Sequence, residues 1–363
     1  MSPKPLVEST RIIISEIKKQ KICEEKMTER LRIVIPMAGL GSRLRPLTWS
    51  RPKPLISLAG ATVLDHMLSM FQTVPNRETV EFVFILSPNQ EELIKGHMTK
   101  NYPKQVVHYV LQPEMKGQSD ALWNAREYLQ GPILMVFSDT LIENSFACLA
   151  NEKADAVAWV KAVPDPRRFG VAEVDSKGKV TRLIEKPSDL NNNLVVVGCY
   201  YFKESEVLLK AIEEQVERKV QLKGEYFLAD AINLYLEHIA LMRTEMVKTW
   251  LDAGTSEALL DTNRYLLEHG RANSEHGALP NDIVIIPPVF IHPEARVSAS
   301  VIGPHASIGA GVVVQGSIIR DSIVSPGAHV TDARLEGSLL GHDVVINGVS
   351  GKFNIGDNSW LNS

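Results

Sequence analysis

The sequence predicts an α/β domain followed by a parallel β-helix. Three observations carry this. Apolar runs alternate with segments of helical periodicity up to about residue 155. Short runs separated by turn signals follow, as at Asp175-Ser-Lys-Gly178. Beyond residue 283, apolar residues recur every six positions. A chain of 363 residues has room for about two domains.

Residues 1–30 read as a basic, polar extension. Ile13, Ile14 and Ile17 have helical spacing, but the apolar core is too short for a secretory signal. Met27 stands just before the first strand and is the expected start of translation.

Residues 31–269 read as one domain. Leu31–Met37, Val80–Leu86, Val106–Leu111 and Ile133–Phe137 are predominantly apolar runs without strict alternation. Such runs suit parallel strands buried on both faces. Val63–Phe71, Gln90–Met98 and Gln118–Leu129 lie between them as helices. Ala156–Ala162, Val171–Val174, Val180–Ile184 and Leu194–Phe202 predict an antiparallel insertion. Helices are expected near Ser205–Glu217, Tyr226–His238 and Ser256–Glu268.

Residues 270–282 are rich in Gly, Asn and Ser, which marks a linker before the domain at 283–363. There Ile302, Ile308 and Val314 are six apart, as are Ile318, Val324 and Val330. Small residues such as Ser307 and Ser322 fall where a β-helix turns its corners. The tail holds three to four coils' worth of such repeats. An antiparallel β domain would not keep this period.

Composition excludes several function classes. A net charge of −4 gives no field favouring nucleic acid or an anionic membrane. No apolar run approaches the length of a membrane span. Cys23, Cys148 and Cys199 form neither a disulfide framework nor a zinc spacing, so the expected location is the cytoplasm.

The chemistry concentrates after the first strand, in Pro36-Met-Ala-Gly-Leu-Gly-Ser-Arg-Leu-Arg-Pro-Leu-Thr48 and Arg51-Pro-Lys-Pro-Leu55. Gly39 and Gly41 let backbone N–H groups converge on phosphate. Arg43 adds a planar fork and Lys53 a second cation. Together they point to a nucleoside triphosphate. A Rossmann fingerprint fails at Leu44, and no Walker ending is present. Asp139 follows the buried strand at 133–138, where open α/β sheets bind ligands. A carboxylate there can hold Mg²⁺ against triphosphate oxygens.

These strings resemble the sugar-1-phosphate nucleotidylyltransferase family, closest to glucose-1-phosphate thymidylyltransferases, over residues 31–269. Ser42 stands where the family usually has Thr. The resemblance implies a Rossmann-like mixed sheet, and the tail resembles the left-handed parallel β-helix that many members carry. It implies that Met37, Gly39, Gly41, Ser42, Arg43, Gln112 and Gly117 bind the nucleotide, with Arg43 and Lys53 catalytic. Gly170, Glu185, Lys186, Gly198 and Lys223 would bind the sugar phosphate. Asp252, in Trp250-Leu-Asp-Ala-Gly-Thr255, would be the second metal ligand beside Asp139. Gln118-Ser-Asp120 departs from the family's commoner pairs, and Ser119 could also cap a helix there.

The implied reaction joins an NTP to a hexose-1-phosphate and releases pyrophosphate. The nucleophile is already an anion, so countercharge and alignment matter more than a general base. dTTP with glucose-1-phosphate is the first expectation. Mannose-1-phosphate with GTP and uridylyl transfer stay open, as does a non-catalytic nucleotide-sugar-binding subunit. His292, His305, His329 and His342 make acyl transfer by the tail conceivable. Its expected role is homo-oligomer assembly, because exposed β-helix faces need cover.

Overall fold

The structure is a computed structural model that describes residues 30–222, 224–238, 241–273 and 282–363. The expectations at Met27 and Lys223, and most of the linker, lie outside the described residues.

The first domain is built on a nine-stranded mixed sheet. Its strands are β1 (Arg32–Pro36), β2 (Glu81–Leu86), β3 (Val107–Leu111), β4 (Ile133–Val136), β6 (Ala156–Ala162), β7 (Gly170–Val174), β8 (Val180–Glu185), β9 (Leu194–Phe202) and β10 (Met242–Met246); a separate antiparallel pair joins β5 (Thr140–Glu143) to β11 (Thr249–Asp252). The sheet order is β8-β7-β9-β4-β1-β2-β3, with β6 between β9 and β10. β1 pairs in parallel with β2 and β4, and β2 with β3. β9 runs antiparallel to β4, β6 and β7. All six residues of β2 and all four of β4 are buried, as strands covered on both faces require.

Helices α1 (Val63–Met70), α2 (Glu91–Asn101), α3 (Gln118–Asn124), α4 (Ser205–Glu217), α5 (Leu228–His238) and α6 (Ser256–Leu266) cover the sheet. Thr62 and Asp65 form a reciprocal capping box at the start of α1. The helix expected over 118–129 ends at Asn124. There the N–H of Ala125 reaches back to both Ala121 and Leu122, tightening the chain into a 3₁₀ turn at Arg126–Tyr128.

The tail is a β-helix of five coils, more than the three to four expected. Three parallel sheets of five strands form its faces. Ile302, Ile308, Val314, Ile319, Val324, Val330, Leu335, Leu340 and Ile346 fill its core. The inward residue after Val314 is therefore Ile319, while Ile318 is exposed. The tight corner at Gly316, where φ is +61°, shortens that step to five residues. Corner serines have a polar role as well. Ser300, Ser317, Ser322 and Ser338 each accept a hydrogen bond at 3.0 Å from a backbone N–H of the next coil.

The two domains share a core. Ile323 and Leu339 of the β-helix are buried in one cluster with Leu47, Leu55 and Ile56. Ser50 and Arg51 bond to Asp357, and Asn263 bonds to Ser307 and to the carbonyl of His305.

Candidate active site

The chain leaves β1 into the glycine loop. Gly41 sits at φ +59°, and a Cβ there would meet Thr48 Cγ2 at 3.0 Å. The Thr48 hydroxyl donates to the Gly41 carbonyl at 2.8 Å, pinning the loop. Gly39 needs no such conformation, and its missing Cβ faces open space. Ser42, Arg43 and Leu44 form a 3₁₀ turn anchored by buried Leu44, which sends the Arg43 side chain outward, 58% exposed.

Lys53 is the opposite case. It opens a 3₁₀ turn after Pro52 and is only 8% exposed. Its Nζ donates to Asp139 Oδ2 at 2.6 Å, and Arg43 Nη2 lies 3.9 Å from the same oxygen. Burial alone would push the Asp139 carboxyl up, but Lys53 and then Arg43 outweigh it and hold the pKa below the ordinary carboxylate range.

Asp252 stands at the end of β11, beside Asp139 because β5 and β11 pair Thr140 with Asp252. Its Oδ1 accepts from the Gly254 N–H at 2.7 Å. A Cβ on Gly254 would lie 2.7 Å from Asp252 Oδ1, 3.2 Å from Arg43 Nη2 and 3.4 Å from Asp139 Oδ2. Three charged groups thus converge on one glycine. Burial, and then the negative charge of Asp139, push the Asp252 carboxyl upward. A divalent cation would relieve that repulsion. Among the described residues no group of three or more His, Cys, Asp or Glu side chains is gathered for a metal. Two carboxylates suit a hard cation whose remaining ligands are phosphate oxygens and water.

Two cavities flank this centre. One, of about 470 Å³, is lined by Gly39, Gly41, Ser42, Arg43, Lys53, Gln112, Gly117 and Asp139. The other, of about 200 Å³, is lined by Arg43, Asp139, Arg168, Gly170, Glu185, Gly198, Trp250 and Asp252. Arg43 and Asp139 belong to both.

The nucleotidyl transferase family model matches residues 33–269. The chain belongs to this family. Its relatives include the bifunctional protein GlmU of Methanocaldococcus jannaschii, 32% identical over 260 residues, which are 71% of this chain and 59% of that protein. Glucose-1-phosphate thymidylyltransferase of Streptomyces griseus is 26% identical over 340 residues, 87% of this chain and 93% of that one. A low-salt glycan biosynthesis nucleotidyltransferase of Haloferax volcanii is 28% identical over 335 residues, 85% and 91% of the two chains. This chain spans about three-fifths of the length of the GlmU relative. A candidate glucose-1-phosphate thymidylyltransferase of Bacillus anthracis, crystallised with sucrose, shares the fold at TM-score 0.56 and 21% identity, over 65% of this chain and 94% of that one.

In this nucleotidyl transferase Met37 and Lys186 line neither cavity, and Gly117 and Gly198, which do, are also required by packing. Met37 points into the core, 2% exposed, and its N–H is spent on the Ile85 carbonyl at 2.8 Å, so it offers a ligand neither group. Gly117 is required by the protein itself, since a Cβ there would strike the Tyr226 carbonyl oxygen at 2.4 Å. Gly198 likewise makes room for Phe137, at a bulge in β9. Lys186 does not line the 200 Å³ cavity. Its Nζ lies 4.8 Å over the Phe227 ring and 3.7 Å from Glu185 Oε1. Ser119 does not cap α3, which begins behind Gly117, and the buried Ser119 hydroxyl has no partner among the described residues. Gly170 and Glu185 do face one another across the β7–β8 ladder, and burial raises the Glu185 carboxyl.

Other lining residues were not singled out. Gly254 lies in the very string that marks Asp252, and its own role needed the fold to appear. Trp250 also lines the smaller cavity, and Phe169 packs against it edge-on at 5.0 Å.

Proposed function

We propose that this protein transfers a nucleotidyl group from a nucleoside triphosphate to a sugar-1-phosphate, with dTTP and glucose-1-phosphate the first pair to test. The observation that supports it most is the sharing of Arg43 and Asp139 between the two cavities. A glycine-loop cavity and a cavity with the hydroxyl-accepting carboxylate of Glu185 meet at the charged centre. That is the layout a two-substrate displacement on phosphorus needs.

The sugar-phosphate oxygen attacks the α-phosphorus. A new P–O bond forms there, the bond to the β-phosphate oxygen breaks, and pyrophosphate leaves with the electron pair. Arg43, exposed at the junction, meets the triphosphate first. Lys53 is held on Asp139 until the triphosphate competes for its ammonium, and it then balances charge on the departing pyrophosphate. Glu185 accepts hydrogen bonds from sugar hydroxyls, and Gly170, where a Cβ would lie 3.2 Å from Glu185 Oε2, keeps that carboxylate uncovered. Asp139 and Asp252 would hold Mg²⁺, which would supply Lewis-acid countercharge to the phosphoryl oxygens. The β-helix is an assembly module between copies of the chain.

Pyrophosphate release with Mg²⁺, across five NTPs and a panel of sugar-1-phosphates, tests this reading. One productive pair names the substrates. Silence from folded protein that binds a nucleotide sugar would favour a regulatory subunit instead.

A further inference from the structure

Thr262 and Asn263 stand side by side on α6, and both polar side chains are buried. Buried polar groups need partners. A helical threonine commonly returns its hydroxyl to its own helix, four residues back. Thr262 instead donates to the backbone carbonyl of Asp252 at 2.9 Å. That carbonyl belongs to the peptide unit joining Asp252 to Ala253. The N–H of the same unit donates to the Asp139 carbonyl at 2.9 Å. One planar peptide is thus held at both ends, by Thr262 and by the backbone of Asp139. It ties together the two residues whose carboxylates converge beside Gly254.

Asn263 is tied to the β-helix. Its Oδ1 accepts from the Ser307 hydroxyl at 2.7 Å and from the Ala59 N–H at 3.0 Å, and its Nδ2 donates to the His305 carbonyl at 3.1 Å. Other contacts fasten α6 at its two ends. Asn354 Nδ2 donates to Ser256 Oγ at 3.1 Å, and Arg264 pairs with Asp321 at 3.0 Å. Just beyond the helix, Glu268 meets His305 at 2.8 Å. Asn354, Asp321, His305 and Ser307 all belong to the β-helix. The β-helix therefore seats α6, and Thr262 transmits that placement to Asp252.

We propose that Thr262 and Asn263 are positioning residues through which the β-helix sets the geometry of a divalent-cation site at Asp139 and Asp252. The β-helix then serves the reaction within each chain, apart from any assembly of copies. This rests on reading Asp252 as a metal ligand. Two like charges repel, so a loosened peptide lets the carboxylates move apart, and the cation meets a site that is no longer pre-formed. Groups that orient ligands in this way govern metal affinity although they never touch the metal.

The test is Mn²⁺ titration of the whole chain without substrates, with free Mn²⁺ read by electron paramagnetic resonance. Thr262→Val keeps the shape and removes the hydroxyl, and it should weaken the Mn²⁺ Kd by about tenfold or more. Asn263→Ala should weaken it by about tenfold as well. Ser307→Ala, on the β-helix side of the contact, should weaken it by about threefold. Thr262→Ser keeps the donor and should stay within about twofold of wild type. Circular dichroism checks that each variant is folded. Where Asn263→Ala is not, Thr262→Val against Thr262→Ser carries the test. Wild-type Mn²⁺ affinity in folded Thr262→Val overturns the proposal and leaves these bonds as domain packing alone. Asp252→Asn, titrated alongside, should lose the site. If it binds Mn²⁺ as wild type does, Asp252 is no ligand, and the metal reading falls together with this inference.

Discussion

Asp357 and Arg51 are 306 residues apart, yet Arg51 Nε donates to Asp357 Oδ2 at 2.9 Å. The same oxygen accepts from the Ser50 hydroxyl at 2.8 Å, and the other carboxylate oxygen accepts from the backbone N–H of His342. Nearby, Asn354 Nδ2 donates to the Arg45 carbonyl, and Gly356 packs so closely on Pro46 that a Cβ would lie 3.1 Å from its carbonyl oxygen. The last coil of the β-helix thus braces the loop that carries Arg43 and Lys53.

Asp357→Ala should therefore reduce both stability and turnover. It leaves Arg51 without its partner, at a cost of about 2–3 kcal/mol in urea unfolding. Loss of the brace two residues from Lys53 should lower kcat by about tenfold. Unchanged kcat in folded protein would show that the β-helix only docks there.

The Lys53–Asp139 pair carries the second prediction. Lys53→Met should cost about 10²–10³-fold in kcat, because a buried cation aimed at the reacting phosphates is lost. Asp139→Asn should nearly abolish turnover while far-UV circular dichroism stays native. Chelation of Mg²⁺ should do the same, and re-addition should restore wild type but not the Asp139 variant. Retention of wild-type rates by Asp139→Asn at saturating Mg²⁺ would refute the metal assignment.

Two glycines should fail in different ways. Gly117→Ala forces a Cβ to within 2.4 Å of the Tyr226 carbonyl oxygen at φ +104°, so it should lower Tm sharply. Gly39→Ala meets nothing within 4 Å and should leave Tm unchanged. It should instead raise KM for the triphosphate, where a ligand needs the backbone within reach. Thermal unfolding and steady-state kinetics on both variants separate the two roles.

The fourth prediction concerns acid stability. Burial alone would raise the Asp65 carboxyl, but bonds from His97 at 2.7 Å and from Thr62 outweigh it and hold its pKa far below the ordinary value. A depressed carboxylate stabilises the fold fully above its unfolded pKa of about 4, and that contribution is lost as pH falls through the folded value. Unfolding free energy should therefore drop between about pH 4 and pH 2. Asp65→Asn should be less stable at pH 7 and should show a smaller drop. Parallel pH profiles for the two proteins would contradict this.

Much of the molecule was legible from residue order alone. Unbroken apolar runs such as Phe82–Leu86 read as buried parallel strands because burial on both faces leaves no polar alternation. The glycine loop and Lys53 were legible because binding phosphate demands specific residue types close together in the chain. The β-helix was visible in its period, although the count of coils was not. Corners that save a residue, as at Gly316, put Ile319 inside and broke the six-residue rule.

Tertiary structure decided what depends on contacts between distant segments. It brought Asp252 beside Asp139 through the β5–β11 pair and placed Gly254 between them. It turned Met37 inward and laid Lys186 over Phe227. It also showed that Tyr226 is what demands glycine at position 117. A sequence determines which groups are available and how local backbone bends. Which of them meet is set by packing that minimises exposed apolar surface across the whole chain, and no local pattern records that result.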